Sequence, residues 1–485
     1  MQREKVCAVL GLARAGIPAA RFLANRGARV WGCDGKSRAE LSEEALALES
    51  SGVELRLGET AFDGLEECSL IVLSPGLKIH HEPLRSIIEQ CERAGVEIIG
   101  ELELSARHCP APMICVTGTK GKSTTVKLIT EMLNAAGIDA LRAGNTGIPL
   151  IAELPNLAPA SWAVVEVSSF QLERAPTLKP RIAALLNLLP DHQDYHTSLQ
   201  QYWDTKLKLF ANQKAGDAAI FNIDDAQVNT VWAARSANPV AAETVATSAL
   251  EAGEESVSRV ALQNGALGFH GEAGFEPVIA IDEIPLRGAH NRGNVAAALA
   301  AVRAAVERHG LDWAQVREAA AQAIRDFESL PHRLEKVATV CGITYINDSQ
   351  ATIPDAALRA LEAFEQPVTL IAGGLNKLDD PDGYNLLGEK IAERAHLLVT
   401  IGEAAPLLET AAKRAGFPAG KIVTAGNLTE AVKSATMGTP QGGTIVMSPA
   451  CASFDQFKNY EERGQKFRDL VAALETSQSH VTPTA

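Results

Sequence analysis

The stretch Thr117-Gly118-Thr119-Lys120-Gly121-Lys122-Ser123-Thr124 joins two glycines, two lysines and four hydroxyls, a set suited to holding phosphate. The apolar run Met113–Val116 before it predicts a buried strand. After it, Val126, Leu128, Ile129, Met132 and Leu133 recur at helical spacing. In such a strand–loop–helix, backbone N–H groups of the loop and of the helix start face the anion, with the helix dipole behind them. Gly118, Thr119, Lys120 and Gly121 then form the cradle. Lys122 reaches the β- and γ-phosphates, and the hydroxyl of Ser123 or Thr124 holds Mg2+. A full phosphate-loop pattern has glycine at position 116, where Val116 stands. The expected ligand is ATP. Glu166, closing the apolar run Trp162–Val165, is the candidate carboxylate for magnesium or its waters. Asp191-His192-Gln193-Asp194-Tyr195-His196, after the apolar run Ile182–Asn187, reads as a metal or phosphate edge at a strand end. Lys206 lies on a helix around Tyr202–Phe210, where a solvated lysine is the ordinary explanation. Gly288–Asn294 is a polar opening to a long alanine-rich helix, suited to a nucleotide.

These groups need scaffolds. At the N-terminus, Val6–Leu10 predicts a strand, and Gly11-Leu12-Ala13-Arg14-Ala15-Gly16 the turn into a helix ending near Gly27. Ala28–Cys33 then delivers Asp34. The dinucleotide fingerprint has become G-x-A-x-x-G, which a dinucleotide, a mononucleotide or no ligand would fit. Leu70–Leu73 leading into Ser74-Pro75-Gly76, and Val96–Ile99, complete the set, and Pro110 and Pro112 mark a connector. The expected fold class is α/β in three domains: Rossmann-like over 1–109, a central P-loop ATPase over 110–329 and Rossmann-like again over 330–485. In the last, strands at 343–347, 368–372, 397–401, 422–424 and 444–447 alternate with helices, predicting an open parallel sheet. Its loops carry Asn347-Asp348-Ser349, Gly373–Lys377 and Ser448–Ser453, at the carboxyl ends where such sheets bind ligands. Positions 233–260, rich in Ala, Ser and Glu, predict a peripheral hairpin or loop. The tail from Ser477 predicts disorder.

Composition narrows the class. A chain of 485 residues is too long for one core. Its net charge of −14 argues against broad nucleic-acid or anionic-membrane binding while leaving room for a local phosphate pocket. Eight cysteines without a C-x-x-C pair, several in apolar strands, fit buried thiols in a reducing compartment. With no basic-then-apolar leader and no apolar run long enough for a bilayer, the expectation is a cytoplasmic protein without membrane insertion.

Along nearly its whole length the chain resembles the Mur ligases, and within them the glutamate-adding members. The resemblance rests on Thr117–Thr124, Glu166–Leu172, Asp191–Asp194, Gly288–Asn291 with Asn294, Pro331-His332-Arg333, Asn347–Ser349, and Ser448–Ser453 followed by Asp455–Asn459. It implies an ATP-dependent, amide-forming ligase of peptidoglycan precursor synthesis that joins glutamate to UDP-N-acetylmuramoyl-L-alanine through an acyl phosphate. D-glutamate is the favoured amino acid. An L-glutamate variant and a folylpolyglutamate synthase-like ligase are the alternatives. A dehydrogenase would explain the N-terminal turn but not the phosphate loop, and a nucleotide-sugar sensor would bind without turnover.

The resemblance also implies roles. Arg14, Ala15, Asp34 and Lys36 would grip the uridine diphosphate, with Ser74 and Gly76 nearby. Asn145 and His192 would face the muramoyl-alanine and its metal, and Glu166 would bind magnesium. Two Mg2+ ions are implied, as is a carbamylated lysine at Lys206. Asn294, Arg333 and Asp348 would hold the nucleotide. Thr352, Lys377 and Ser453 would take the incoming glutamate, with Tyr460 as an aromatic beside it. His192 is a possible base for the amine. A single chain is the expected working unit. One departure stands out: after Asn347–Ser349 the family continues with lysine, and this chain has Gln350, then Ala351-Thr352-Ile353-Pro354.

Overall fold

A computed structural model describes the chain apart from residues 1–5, 192–194, 238–241, 252–257, 272–273, 287, 329–330, 365–366, 379–381 and 480–485. The described residues form three sheets and two compact units, Met1–Pro285 with Ala289–Phe327, and Leu286–Gly288 with Glu328–Ala485.

The first unit opens with β1 (Val6–Leu10), β2 (Arg29–Asp34), β3 (Val53–Leu57), β4 (Leu70–Leu73) and β5 (Glu97–Gly100), all parallel in the order β3-β2-β1-β4-β5. The turn after β1 is tight because the helix Gly16–Asn25 starts against it. A Cβ on Gly16 would lie 1.8 Å from the Gly11 carbonyl oxygen. The strand β3 escapes the sequence reading because Glu54 and Arg56 break its apolar pattern.

The central sheet contains β6 (Met113–Thr117), β7 (Ala140–Gly144), β8 (Trp162–Glu166), β9 (Ile182–Leu185), β10 (Ala218–Asn222), β11 (Glu243–Glu251), β12 (Val260–Gln263), β13 (Ala266–Gly271) and β14 (Gly274–Ala280). Its order is β14-β13-β12-β11-β10-β9-β6-β8-β7, parallel from β7 to β12 and antiparallel from β12 to β14. Every residue of β6 and β8 is buried, as expected of strands covered on both faces. The expected peripheral hairpin or loop over 233–260 is corrected here. The helix Ala226–Ala237 covers its start, and β11 runs parallel to β10 within the sheet, with Val245–Ala249 buried. Small residues, Ala246, Thr247, Ser248 and Ala249, fill that strand and mute its apolar signal.

These two sheets share one core, in which Leu102 and Leu104 pack with Leu172 and Leu178. The Gly100 amide donates to the Arg174 carbonyl at 2.7 Å, and the Thr177 amide to the fully buried Glu103 at 3.1 Å. The helix Ala289–Arg308 is buried over most of its circumference, because its alanines allow neighbouring elements to approach closely.

The second unit holds β15 (Glu335–Val340), β16 (Ile343–Asn347), β17 (Val368–Gly373), β18 (Ala395–Ile401), β19 (Ile422–Thr424) and β20 (Thr444–Met447), ordered β15-β16-β20-β17-β18-β19. Apolar clusters cover both faces. The expected strands are present, but the sheet is mixed, since β15 is an antiparallel edge. Only Val340 of β15 is buried, as suits an edge strand, so no apolar run announces it. The turn joining it to β16 exposes Cys341, contrary to the expectation of buried thiols. The final helix, Tyr460–Ser479, extends past the point where disorder was expected to begin. No described helix is long and apolar enough to cross a membrane.

Candidate active site

The phosphate loop sits between β6 and the helix Lys122–Ala135 as its sequence predicts. Gly121 adopts φ +87°, and a Cβ there would lie 2.3 Å from Asn294 Oδ1. Only glycine suits both the backbone and the space. Asn294, from the helix Ala289–Arg308, is thus seated on the loop, its amide donating to Asn291 Oδ1 at 3.1 Å. The loop is strapped to the end of β9. The Thr119 amide donates to the Asn187 carbonyl at 3.1 Å and the Lys120 amide to Asn187 Oδ1 at 2.8 Å. Asn187 Nδ2 returns a bond to the Lys120 carbonyl at 3.0 Å. Thr119 Oγ1 donates to the Leu189 carbonyl and accepts from Tyr202.

Three lysines converge here. Lys122 Nζ donates to the carbonyls of Gly118 and Thr119, both at 2.9 Å. Lys206 Nζ donates to the same Gly118 carbonyl at 3.0 Å. Lys120 Nζ lies 3.3 Å from Asp191 Oδ2. The solvated reading of Lys206 is corrected: it is 2% exposed, lying over the Tyr202 ring. Tyr202 and Lys206 are one helical turn apart and share the face of Leu199–Leu207 that packs on the loop. Burial, then the neighbouring charges of Lys122 and Lys120, hold the Lys206 amine well below its ordinary pKa, with Asp191 opposing them.

Glu166, at the end of β8, is 3% exposed and accepts hydrogen bonds from neutral groups on both oxygens. Ser123 Oγ donates to its Oε2 at 2.5 Å, and Asn145 Nδ2 and Thr146 Oγ1 to its Oε1 at 3.1 and 2.9 Å. Thr124 follows in the first turn of the helix. Among the described residues no three His, Cys, Asp or Glu side chains form a metal cluster. Mg2+ beside nucleotides is held by a few protein oxygens together with phosphates and water. The donor set of Ser123 and Glu166 beside a glycine-lined cradle fits it. His192 and Asp194 lie outside the described residues. His196 is buried against Phe170 and Tyr202 and bonds Ser169.

At the first sheet, Asp34 Oδ2 accepts from the Leu12 amide at 2.8 Å and Oδ1 from the Lys36 amide at 3.0 Å, fixing the two turns together. Ala15 is buried at the helix start, Lys36 and Gly76 are exposed, and Ser74 donates its amide to the Leu10 carbonyl. Arg14 donates to the Asn145 carbonyl, so a side chain of the first sheet's turn reaches the central loop that also bonds Glu166. A cavity lies beside them, walled by Ser74, Leu77, Glu101, Phe170, Gln171 and Tyr195.

In the second unit, Asp348 is buried at the end of β16. It accepts from Ser448 Oγ at 2.7 Å and the Leu334 amide at 3.1 Å. Burial outweighs those bonds and the nearby Arg333, raising its pKa to about 7. Arg333 Nε donates to Gln350 Oε1, the residue that departs from the family pattern. Thr352 follows on the same loop, half-buried, its amide on the Gln350 carbonyl at 2.9 Å. Ser453 is buried after β20, and Lys377, exposed after β17, places its ammonium 4.8 Å from the Phe454 ring. Tyr460 opens the last helix and stands edge-on to His332. Sequence reasoning missed Thr146, Asn187, Tyr202 and Arg463. Asn187 at a strand end is the only one with a visible signal.

Known proteins resemble this chain along nearly its whole length. Residues 5–100 match the Mur ligase MurD-like N-terminal domain, 116–302 the Mur ligase middle domain and 332–451 the Mur ligase glutamate ligase domain. The UDP-N-acetylmuramoylalanine–D-glutamate ligase of Pelotomaculum thermopropionicum is 39% identical over 97% of this chain and 98% of its own. That of Acidobacterium capsulatum is 38% identical over 97% of each. In fold, the chain resembles UDP-N-acetylmuramate-alanine ligase MurC from Thermotoga maritima, with a TM-score of 0.58, 17% identity and coverage of 98% and 99%. With a phosphate loop, a bonded acidic strand end and a glutamate ligase domain in one colinear chain, this protein belongs to the Mur ligase family.

Proposed function

We propose that this chain joins D-glutamate to UDP-N-acetylmuramoyl-L-alanine in an ATP-dependent, amide-forming reaction of peptidoglycan precursor synthesis. The observation that carries the reading is the phosphate loop with Lys122, Ser123 and Glu166 at its mouth, in a chain colinear with D-glutamate ligases. Residues 1–109, 110–329 and 330–485 are read as the UDP-sugar, ATP and amino-acid domains. Arg14, Ala15, Asp34, Lys36, Ser74 and Gly76 take the uridine diphosphate end, and Asn145 the muramoyl-alanine.

The substrate carboxylate attacks the γ-phosphate, releasing ADP and leaving a mixed anhydride. The glutamate amine then attacks the acyl carbon and phosphate departs. Both reactants of the first step are anionic, so Lys122 turns from the loop carbonyls to the transferring group and offsets the repulsion. Magnesium, when bound, neutralises further phosphate charge, and Ser123 and Glu166 are the residues to hold it. Asn294, Arg333 and Asp348 are assigned to the nucleotide, and Thr352, Lys377, Ser453 and Tyr460 to glutamate. His192 keeps its role as a metal or base candidate by resemblance alone.

Lys206 is assigned as a carbamate. Burial, with the charges of Lys122 and Lys120, holds its amine well below the ordinary lysine pKa and so favours the neutral form that attacks CO2. The N–C bond forms, a proton leaves, and an anionic oxygen ligand replaces an amine beside the loop. That relieves the clustering of Lys206 with Lys120 and Lys122.

The deciding experiment is turnover with ATP, Mg2+, UDP-N-acetylmuramoyl-L-alanine and each pure glutamate enantiomer. Preferential use of D-glutamate is expected. Preference for L-glutamate would replace the amino acid while keeping the chemistry, and NAD(P)H oxidation without ATP hydrolysis would overturn the class. Light scattering tests the expected single-chain state.

A further inference from the structure

Arg463 lies under the proposed amino-acid site and belongs to no site residue set given above. It sits one turn into the final helix, is 1% exposed, and spends its whole guanidinium on loop backbone and one hydroxyl. Nε donates to Ser349 Oγ at 3.0 Å and Nη2 to the Ser349 carbonyl at 2.9 Å. Nη1 and Nη2 donate to the Cys451 carbonyl at 3.2 and 3.1 Å, and Nη1 reaches the Ala452 carbonyl at 3.4 Å. None of these acceptors is a carboxylate. A charge buried among neutral acceptors is a poor source of stability, so its value lies in the geometry it imposes. Burial lowers its pKa to about 10, which leaves it charged at neutral pH.

The geometry is specific. β16 and β20 are parallel neighbours, and Ser349 and Cys451 lie in the loops after their carboxyl ends. Asp348 precedes Ser349, and Ser453 follows Ala452. A third loop is fitted to the same fork: a Cβ on Gly374, after β17, would come 2.3 Å from the Ala452 carbonyl oxygen and 3.2 Å from Arg463 Nη1. Between β20 and Ser453 the chain passes through Ala450 at φ +61°, a left-handed conformation that a non-glycine residue holds only when its surroundings impose it. The planar fork, reaching two loops at once, supplies that constraint, which a lysine's point charge does not reproduce.

We propose that Arg463 is a positioning residue for glutamate, its guanidinium holding the loops after β16 and β20 in the register that presents Ser453. This rests on the reading of that loop as the glutamate site. The test is Arg463→Lys, which keeps the charge and loses the fork, compared with wild type in steady-state kinetics for all three substrates. The expected result is a glutamate KM raised about tenfold or more, with the UDP-sugar KM unchanged and kcat at saturating glutamate within about threefold. An unchanged glutamate KM, or an equal rise for all three substrates, overturns the proposal. Should the lysine variant fail to fold, Ser349→Ala removes one acceptor of the same fork and is read by the same two outcomes. A wild-type protein that consumes no glutamate of either hand would sink the functional reading instead.

Discussion

Lys122 and Lys206 share one acceptor: their Nζ atoms lie 2.9 and 3.0 Å from the carbonyl oxygen of Gly118. Two ammonium groups on one buried carbonyl repel each other. The pair is eased if Lys206 is neutral, and eased further if it becomes an anion.

Lys206→Ala should therefore lose activity by about a hundredfold or more. Short carboxylates such as acetate or formate, added in the assay, should restore part of it by lending the missing oxygen ligand. Full activity in the variant without rescue would reject the carbamate.

Lys122→Ala should lower ligation about a thousandfold, several kcal/mol of barrier, through loss of a charge contact to the transferring phosphoryl group. UDP-sugar affinity, read by calorimetry, should stay within error, because the residues assigned to its uridine diphosphate end lie at the first sheet. Near-normal turnover by a folded variant counts against the ATP site.

Gly121→Ala should destabilise the protein by about 1–3 kcal/mol, since φ +87° disfavours alanine. Its new methyl would also push Asn294 off the loop, so the ATP KM should rise as well. Denaturant unfolding and ATP titration report the two effects separately.

Asp348 gives a pH signature of definite sign. Its folded pKa of about 7 stands above the ordinary 3.8, so the folded state binds the proton more tightly than the unfolded state. The stabilisation is fully present below about pH 4 and is lost as pH rises through 7. The stability advantage of Asp348→Asn over wild type should widen by on the order of 2–3 kcal/mol between pH 5 and pH 8. Denaturation at the two pH values checks this; an equal difference at both would remove Asp348 as the cause.

The phosphate loop was legible because its chemistry is written in consecutive residues and its flanks follow clean strand and helix periods. The strands of the two outer sheets were mostly legible for the same reason, as apolar runs ending in polar turns. β11 was hidden by alanine, serine and threonine, which can be buried without looking apolar. Lys206 shows a deeper limit. Its helix carries mixed polar residues, and its burial comes from a loop 80-odd positions away, a relation that spacing along one helix does not encode. Arg463 is hidden likewise, since a guanidinium between two strand ends looks in sequence like any surface arginine on an amphipathic helix.

The joint between the first two sheets has a consequence for what the enzyme accepts. The Gly100–Arg174 and Glu103–Thr177 bonds and the common apolar core join both sheets in one compact unit, with Arg14 spanning to Asn145. On the proposed reading, a ligand anchored by its uridine end is held against a gauge, and only one length of acyl arm sets a carboxylate before Lys122. We expect UDP-N-acetylmuramate, one amino acid shorter, and the dipeptide product, one longer, to bind yet leave ATP intact. Measurable ADP release with either would mean that the gauge is slack.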